Sequence, residues 1–183
     1  QAIAIPFIIA GVVVVILTMD GQSETIQYSV ILPLAYLLGS ISWGYILLQL
    51  KMGVDVREYG SGRTGMSNVL RTGGVKSAAV VLTLDIAKGV VAVVIARTVI
   101  ATDGAEVAAA LIVLVGHNWP VFLRFKGGRG ILTALGGLAL MVPVAAIVAT
   151  ATFLAITALS RYISLGSVVG VVIGALAIMA LAL

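Results

Sequence analysis

No cysteine occurs among the 183 residues, so disulfides and thiolate metal sites are excluded and thiol usage carries no sign of a redox compartment. A single histidine, His117, leaves a histidine-cluster metal site without its ligands. Charge is scarce too: 10% of the residues are charged, against 61% hydrophobic, and the mean hydropathy is +1.22. A soluble domain of this length needs far more polar surface than that. The composition is that of an integral membrane protein. Runs without any charge, such as Ala2 to Met19 and Ile163 to Leu183, are each about long enough to cross a hydrocarbon core of roughly 30 Å as a helix. The expected fold class is an all-α bundle of six to seven transmembrane helices, two of them short, forming one transmembrane domain over residues 1–183.

Ala2 to Met19 reads as a first span; without a basic cluster or a small-residue cleavage site it is a permanent helix rather than a secretory signal. After a polar link, Asp20 to Gln27, a second span runs from Tyr28 to Leu50, with Gly39, Ser40, Ser42 and Gly44 as small residues that let membrane helices pack closely. Trp43 lies mid-segment and is assigned to packing. Ser77 to Ile100 forms the next span, interrupted by Asp85 and Lys88, which stand on one helical face. Ionisable groups at that depth either brace the bundle as a pair or belong to a site. Val107 to Leu123 follows. From Ile131 to Ser160 an apolar run with Pro143 near its middle would rise roughly 45 Å as one straight helix, too long for one untilted span and too short for two ordinary ones. Two short helices meeting near Pro143 are expected.

The net charge of +4 is concentrated in two glycine-rich loops, a distribution suited to anionic lipids or anionic substrates rather than to nucleic acid. Lys51 to Lys76 contains Gly60-Ser61-Gly62-Arg63 and Ser67-Asn68 with Arg71, and Arg124 to Gly130 reads Arg-Phe-Lys-Gly-Gly-Arg-Gly. By the positive-inside rule both face the cytoplasm, while Asp103 and Glu106 lie on the outer side. The first loop is open to two readings, a phosphate cradle or a flexible connector. Two such loops on one side favour the cradle, with Arg63, Arg71, Lys126 and Arg129 around backbone nests at Gly60 to Gly65 and Gly127 to Gly130. Neither loop is a Walker A sequence, so nucleotide hydrolysis is not supported. His117, beside Asn118 and Pro120 at a span end, is read as a structural hydrogen-bonding group rather than a general base. With no Ser–His–Asp set, a reaction here must rest on positioning and charge stabilisation. Transfer from an already activated phosphate ester or anhydride meets that condition.

Gly60-Ser61-Gly62, Gly65, Ser67-Asn68 and Arg71, then Leu84-Asp85 with Lys88-Gly89, Gly116-His117 with Pro120 and Phe122, Phe125-Lys126-Gly127-Gly128-Arg129-Gly130, and Arg161-Tyr162-Ile163-Ser164 together resemble the bacterial acyl-phosphate:glycerol-3-phosphate acyltransferase family. The resemblance spans roughly Tyr36 to Gly174. It implies a small helical-bundle enzyme of the bacterial cytoplasmic membrane over residues 28–183, with 2–19 as an extra N-terminal helix. Such an enzyme moves a fatty acyl group from acyl phosphate to glycerol 3-phosphate, giving lysophosphatidate without a metal or nucleotide cofactor. Carried over, Ser61, Arg71 and Lys126 are the catalytic candidates. Gly60, Gly62, Ser67, Asn68, Gly127, Gly128, Arg129 and Ser164 are the substrate-binding ones. The family usually has Asn at Arg63, Thr at Ser67 and Lys at Arg129. Its pattern also continues into a further helix and a polar tail beyond the last residue here. The alternative is a family-derived structural or lipid-binding subunit of a larger membrane complex, motivated by Arg63 and by long spans with few polar residues.

Overall fold

The computed structural model describes residues 4–19 and 21–181. Gln1 to Ile3, Asp20 of the polar link, and Ala182 and Leu183 lie outside the described residues. The helices are α1 (Ala4–Thr18), α2 (Glu24–Ser40), α3 (Trp43–Met52), α4 (Met66–Val99), α5 (Asp103–Asn118), α6 (Ile131–Met141), α7 (Pro143–Ser160) and α8 (Ile163–Leu181), with single 3₁₀ turns at Val56–Glu58 and Val121–Leu123. Among the described residues, five stretches are long and apolar enough to cross a membrane: Glu24–Met52, Met66–Val99, Asp103–Leu123, Pro143–Ser160 and Ile163–Leu181. The all-α membrane class is as expected.

Two compact units are present, divided inside α6 after Gly137. In the first, α2, α4 and α5 share a core of small and branched side chains, Ile31, Ala35, Ala92, Ala96, Ala109 and Val113. The helix crossing of α2 with α5 is close enough that a Cβ on Gly39 would strike the Val113 carbonyl, and one on Gly116 the Tyr36 carbonyl. Only glycine fits at such a backbone-to-backbone approach. A second cluster, Leu48, Val56, Val69 and Val81, ties α3 and α4 to the 3₁₀ turn between them. Trp43 packs against it, as expected. Val56 is fully buried and contributes about 1.5–3 kcal/mol toward holding an otherwise polar loop to the bundle.

The expected single span from Tyr28 to Leu50 is interrupted. Pro33 sits inside α2 without ending it, whereas the helix stops at Ser40 and resumes at Trp43. The cause lies elsewhere in the chain: Lys88 Nζ donates to the carbonyls of Gly39 (3.1 Å) and Ile41 (3.0 Å), supplying donors that a helical backbone would otherwise provide. Irregular backbone at membrane depth is stable only where the protein satisfies it this way. Asp85 pairs with Lys88 at 3.0 Å, and both are almost wholly buried. The bracing reading of this pair therefore has a concrete partner, the α2–α3 break.

The polar segment expected to extend to Lys76 ends at Gly65, because Met66 already opens α4. That helix carries one non-helical residue, Gly74, at φ 77° and ψ 178°, a conformation essentially confined to glycine. The short piece from Met66 to Gly73 thus belongs to the loop region, and the apolar remainder is the span. α5 begins at Asp103, where the Thr102 hydroxyl accepts from the Ala105 N–H at 3.3 Å. Its Glu106 makes a two-pronged ion pair with Arg97, both contacts 2.7 Å. In the second unit α7 and α8 form an antiparallel hairpin, with Gly166, Gly170 and Gly174 of α8 against Phe153 and Ala149 of α7. The break expected near Pro143 is present, with Pro143 as the first residue of α7, where its missing N–H costs nothing.

Candidate active site

The first loop is built around one side chain. Asn68, in the first turn of α4 and 1% exposed, donates from Nδ2 to the carbonyls of Val56 (2.8 Å), Tyr59 (2.9 Å) and Arg63 (2.9 Å). Its Oδ1 accepts from the Ser61 N–H at 3.0 Å. Two amide hydrogens serve three carbonyls, so one of them is shared. The loop thereby closes into a ring around the helix start, and Gly60 and Gly62 take left-handed φ values of 54° and 68° to make the turn. A Cβ on Gly60 would collide with Asn68 Oδ1 and would lie 3.8 Å from Arg71 Cδ, so the Arg71 stem runs alongside this turn.

Arg57 fastens that loop to the second one. Its guanidinium grips Asp55 from Nε and Nη2 (2.6 Å for the shortest contact), lies 5.3 Å from the centre of the Tyr45 ring, and donates from Nη1 to the Leu123 carbonyl at 3.1 Å. The hydrogen bonds from Arg57 hold the Asp55 carboxyl below the usual aspartate range and, reciprocally, raise Arg57. Leu123 closes the 3₁₀ turn from which the second loop departs.

The second loop folds back over the C-terminal end of α5. Arg124 and Phe125 are both left-handed, at φ 54° and 61°, and the chain then returns so that the Gly127 N–H donates to the Asn118 carbonyl (3.2 Å) and the Gly128 N–H to the His117 carbonyl (3.1 Å). These two N–H groups cap carbonyls that a helix end leaves without partners. They are therefore engaged within the protein, and Gly127 and Gly128 pack closely on the end of α5. A Cβ on Gly128 would fall on His117 Nε2. On its other edge the His117 ring has Nδ1 at 3.4 Å from Thr133 Oγ1 and 3.6 Å from Asp85 Oδ1. The single histidine is a buried structural link between α4, α5 and α6, in line with its sequence reading.

The two loops meet at an open cleft of about 300 Å³ lined by Arg63, Asn118, Trp119, Gly128 and Arg129. Arg71 and Lys126 are outside this lining, exposed on their respective loops, as are Ser61 and Gly62. Ser67 is half-buried in the first turn of α4, Asn68, Gly127 and Gly128 are buried, and Ser164 is exposed at the start of α8 in the second unit. Asn118 and Trp119 went unselected in the sequence because they read only as neighbours of the histidine. Arg63 was marked there as a departure from the family pattern, and it is a wall of the cleft. The Tyr36 hydroxyl, donating to the Trp119 carbonyl at 2.8 Å, fixes that end of α5 against α2.

A sequence profile described as glycerol-3-phosphate acyltransferase matches residues 29–183. Glycerol-3-phosphate acyltransferase 3 of Dehalococcoides mccartyi (strain ATCC BAA-2266 / KCTC 15142 / 195) is 47% identical over 150 residues, covering 75% of this chain and 69% of the relative. The glycerol-3-phosphate acyltransferase of Clostridioides difficile (strain 630) is 44% identical over 153 residues, covering 81% and 75%. Among solved structures, PlsY (YgiH), an integral membrane glycerol 3-phosphate acyltransferase in its glycerol 3-phosphate form, superposes with a TM-score of 0.78 at 36% identity, over 84% of this chain and 76% of that one. With a profile match across most of its length and relatives of this similarity, the chain belongs to the glycerol-3-phosphate acyltransferase family.

Proposed function

We propose that this protein transfers an acyl group to glycerol 3-phosphate from an acyl phosphate, forming lysophosphatidate for phospholipid synthesis in a bacterial membrane. One observation carries the reading: the two basic loops of the family pattern are held at a single cleft by the Arg57 link to the Leu123 carbonyl. A hydroxyl oxygen of glycerol 3-phosphate attacks the acyl carbonyl carbon, and the bond from that carbon to the phosphate oxygen breaks. Inorganic phosphate leaves with the electron pair, and the hydroxyl proton passes to a substrate phosphate rather than to a protein base. Lys126 and Arg71 stabilise the charge on the phosphates, with Ser61 and Ser67 as positioning hydroxyls and Asn68 acting through the loop it holds. The site faces the cytoplasm in this reading, which the positive-inside rule supports through Lys51, Arg57, Arg63, Arg71, Arg124, Lys126 and Arg129 in and beside the two loops. Residues 28–183 work as one transmembrane domain, to which 2–19 add a helix; the family match from residue 29 supports this division. The matched acyltransferases lend no support to the alternative of a structural subunit.

Protein purified into lipid and supplied with acyl phosphate and glycerol 3-phosphate is expected to release inorganic phosphate. Lys126→Ala and Arg71→Ala should each abolish that release. Absence of turnover by the full-length protein with both substrates present would overturn the proposal.

A further inference from the structure

The cleft between the loops is lined by positive charge alone. Arg63 and Arg129 both line it, and no carboxylate does. Both arginines are exposed, and their planar donor arrays suit phosphate oxygens. The same wall holds an unfulfilled group: Asn118 Oδ1 is buried without a hydrogen-bond partner among the described residues. A buried acceptor of that kind calls for a donor, and its terminal amide torsion is soft enough to turn toward one. Size narrows the ligand further. About 300 Å³ is the lower end of the range for small-molecule sites, sufficient for a phosphate with a few carbons.

We infer that Arg63 and Asn118 are specificity-determining residues that select a hydroxyl-bearing phosphate monoester in this cleft. Arg63, with Arg129 lining the same cleft, holds the phosphate. The Asn118 amide accepts from a hydroxyl of the ligand, and the exposed Trp119 flanks its carbon skeleton. The inference rests on the acyl-transfer reading for the identity of the ligand, glycerol 3-phosphate. It assigns the recognition of that ligand to an arginine where the family usually has asparagine.

The test is equilibrium binding to the full chain in lipid nanodiscs without any acyl donor, so that it does not depend on turnover. Two probes are compared, glycerol 3-phosphate and propyl phosphate, which carries the same phosphate on three carbons but no hydroxyl. Arg63→Asn should weaken both probes about tenfold or more, the loss expected for one charge-assisted contact to phosphate, and Arg63→Lys should recover part of that loss. Asn118→Leu should remove the preference for glycerol 3-phosphate over propyl phosphate while leaving the latter bound as before. In turnover assays Arg63→Asn should raise KM for glycerol 3-phosphate more than it lowers kcat. Arg63→Asn binding both probes like the unaltered protein would overturn the assignment of Arg63. An unchanged preference in Asn118→Leu would overturn that of Asn118. Arginine-dependent binding without turnover would sustain this inference and count against acyl transfer.

Discussion

Replacing Asn68 separates two ways in which a polar residue in a signature loop can matter. In Asn68→Ala the carbonyls of Val56, Tyr59 and Arg63 and the N–H of Ser61 all lose their partner. The bond to Val56 is fully buried, so its orphaned carbonyl costs about 1–3 kcal/mol, and each of the other three, partly reached by water, costs about 1 kcal/mol. The loop is then destabilised by about 4–6 kcal/mol, while the helices that Asn68 does not touch keep their packing. Hydrogen exchange should report the loss as a fall of about a thousandfold or more in protection across Val56 to Gly65, with helical circular dichroism in lipid unchanged and acyl transfer lost. Asn68→Asp should fare as badly. It keeps an acceptor for the Ser61 N–H but turns oxygen toward three carbonyl oxygens. Native protection of the loop in Asn68→Ala would refute this reasoning, and native protection with lost activity would make Asn68 a direct substrate contact instead.

Two further perturbations address a buried and a half-buried ion pair. Lys88→Met leaves Asp85 unpaired and the Gly39 and Ile41 carbonyls without their donor; a loss of about 3–5 kcal/mol should appear as a lowered unfolding temperature in detergent, and Lys88→Met matching the unaltered protein would dismiss the brace. For Asp55, the folded-state pKa is depressed below its ordinary 3.8 by Arg57, so its stabilisation is complete above that value and is lost as pH falls through the lower, folded one. Unfolding temperature should therefore drop more steeply below about pH 4 in the unaltered protein than in Asp55→Asn; parallel profiles would show that the clasp contributes nothing.

Much of this fold could be read from the chain because lipid imposes simple demands. Length and apolarity marked the spans, and Pro143 marked a real break because a proline inside a run of that length has few places to go. Pro33 illustrates the opposite: α2 passes through it, and stops instead at Ile41, where the sequence has no breaker. The donor that permits that stop is Lys88, and no local pattern announces a partner so far along the chain. The start of α4 was hidden for another reason. Arg71, Thr72, Gly73 and Gly74 look like loop by composition, yet the turn before Gly74 is helical and draws its stability from Val69 packing and the Asn68 ring. At the site, charge was the legible quantity. Asn68, Gly127 and Gly128 carry polar or glycine character that suggests ligand contact, whereas their hydrogen bonds and packing turn inward. Asn118 gave no signal, because a lone amide beside a histidine is ordinary.

The Lys88 contacts also set a condition on how the protein is made. The carbonyls of Gly39 and Ile41 precede their donor by 49 and 47 residues, which a ribosome adding roughly 5–20 residues per second takes some seconds to reach. During that interval α2 and α3 exist without the group that completes the gap between them, and hydrocarbon offers no substitute. The nascent α2–α3 segment must wait where water or the insertion machinery can serve those carbonyls, and its final seating in the bilayer is timed by the arrival of α4.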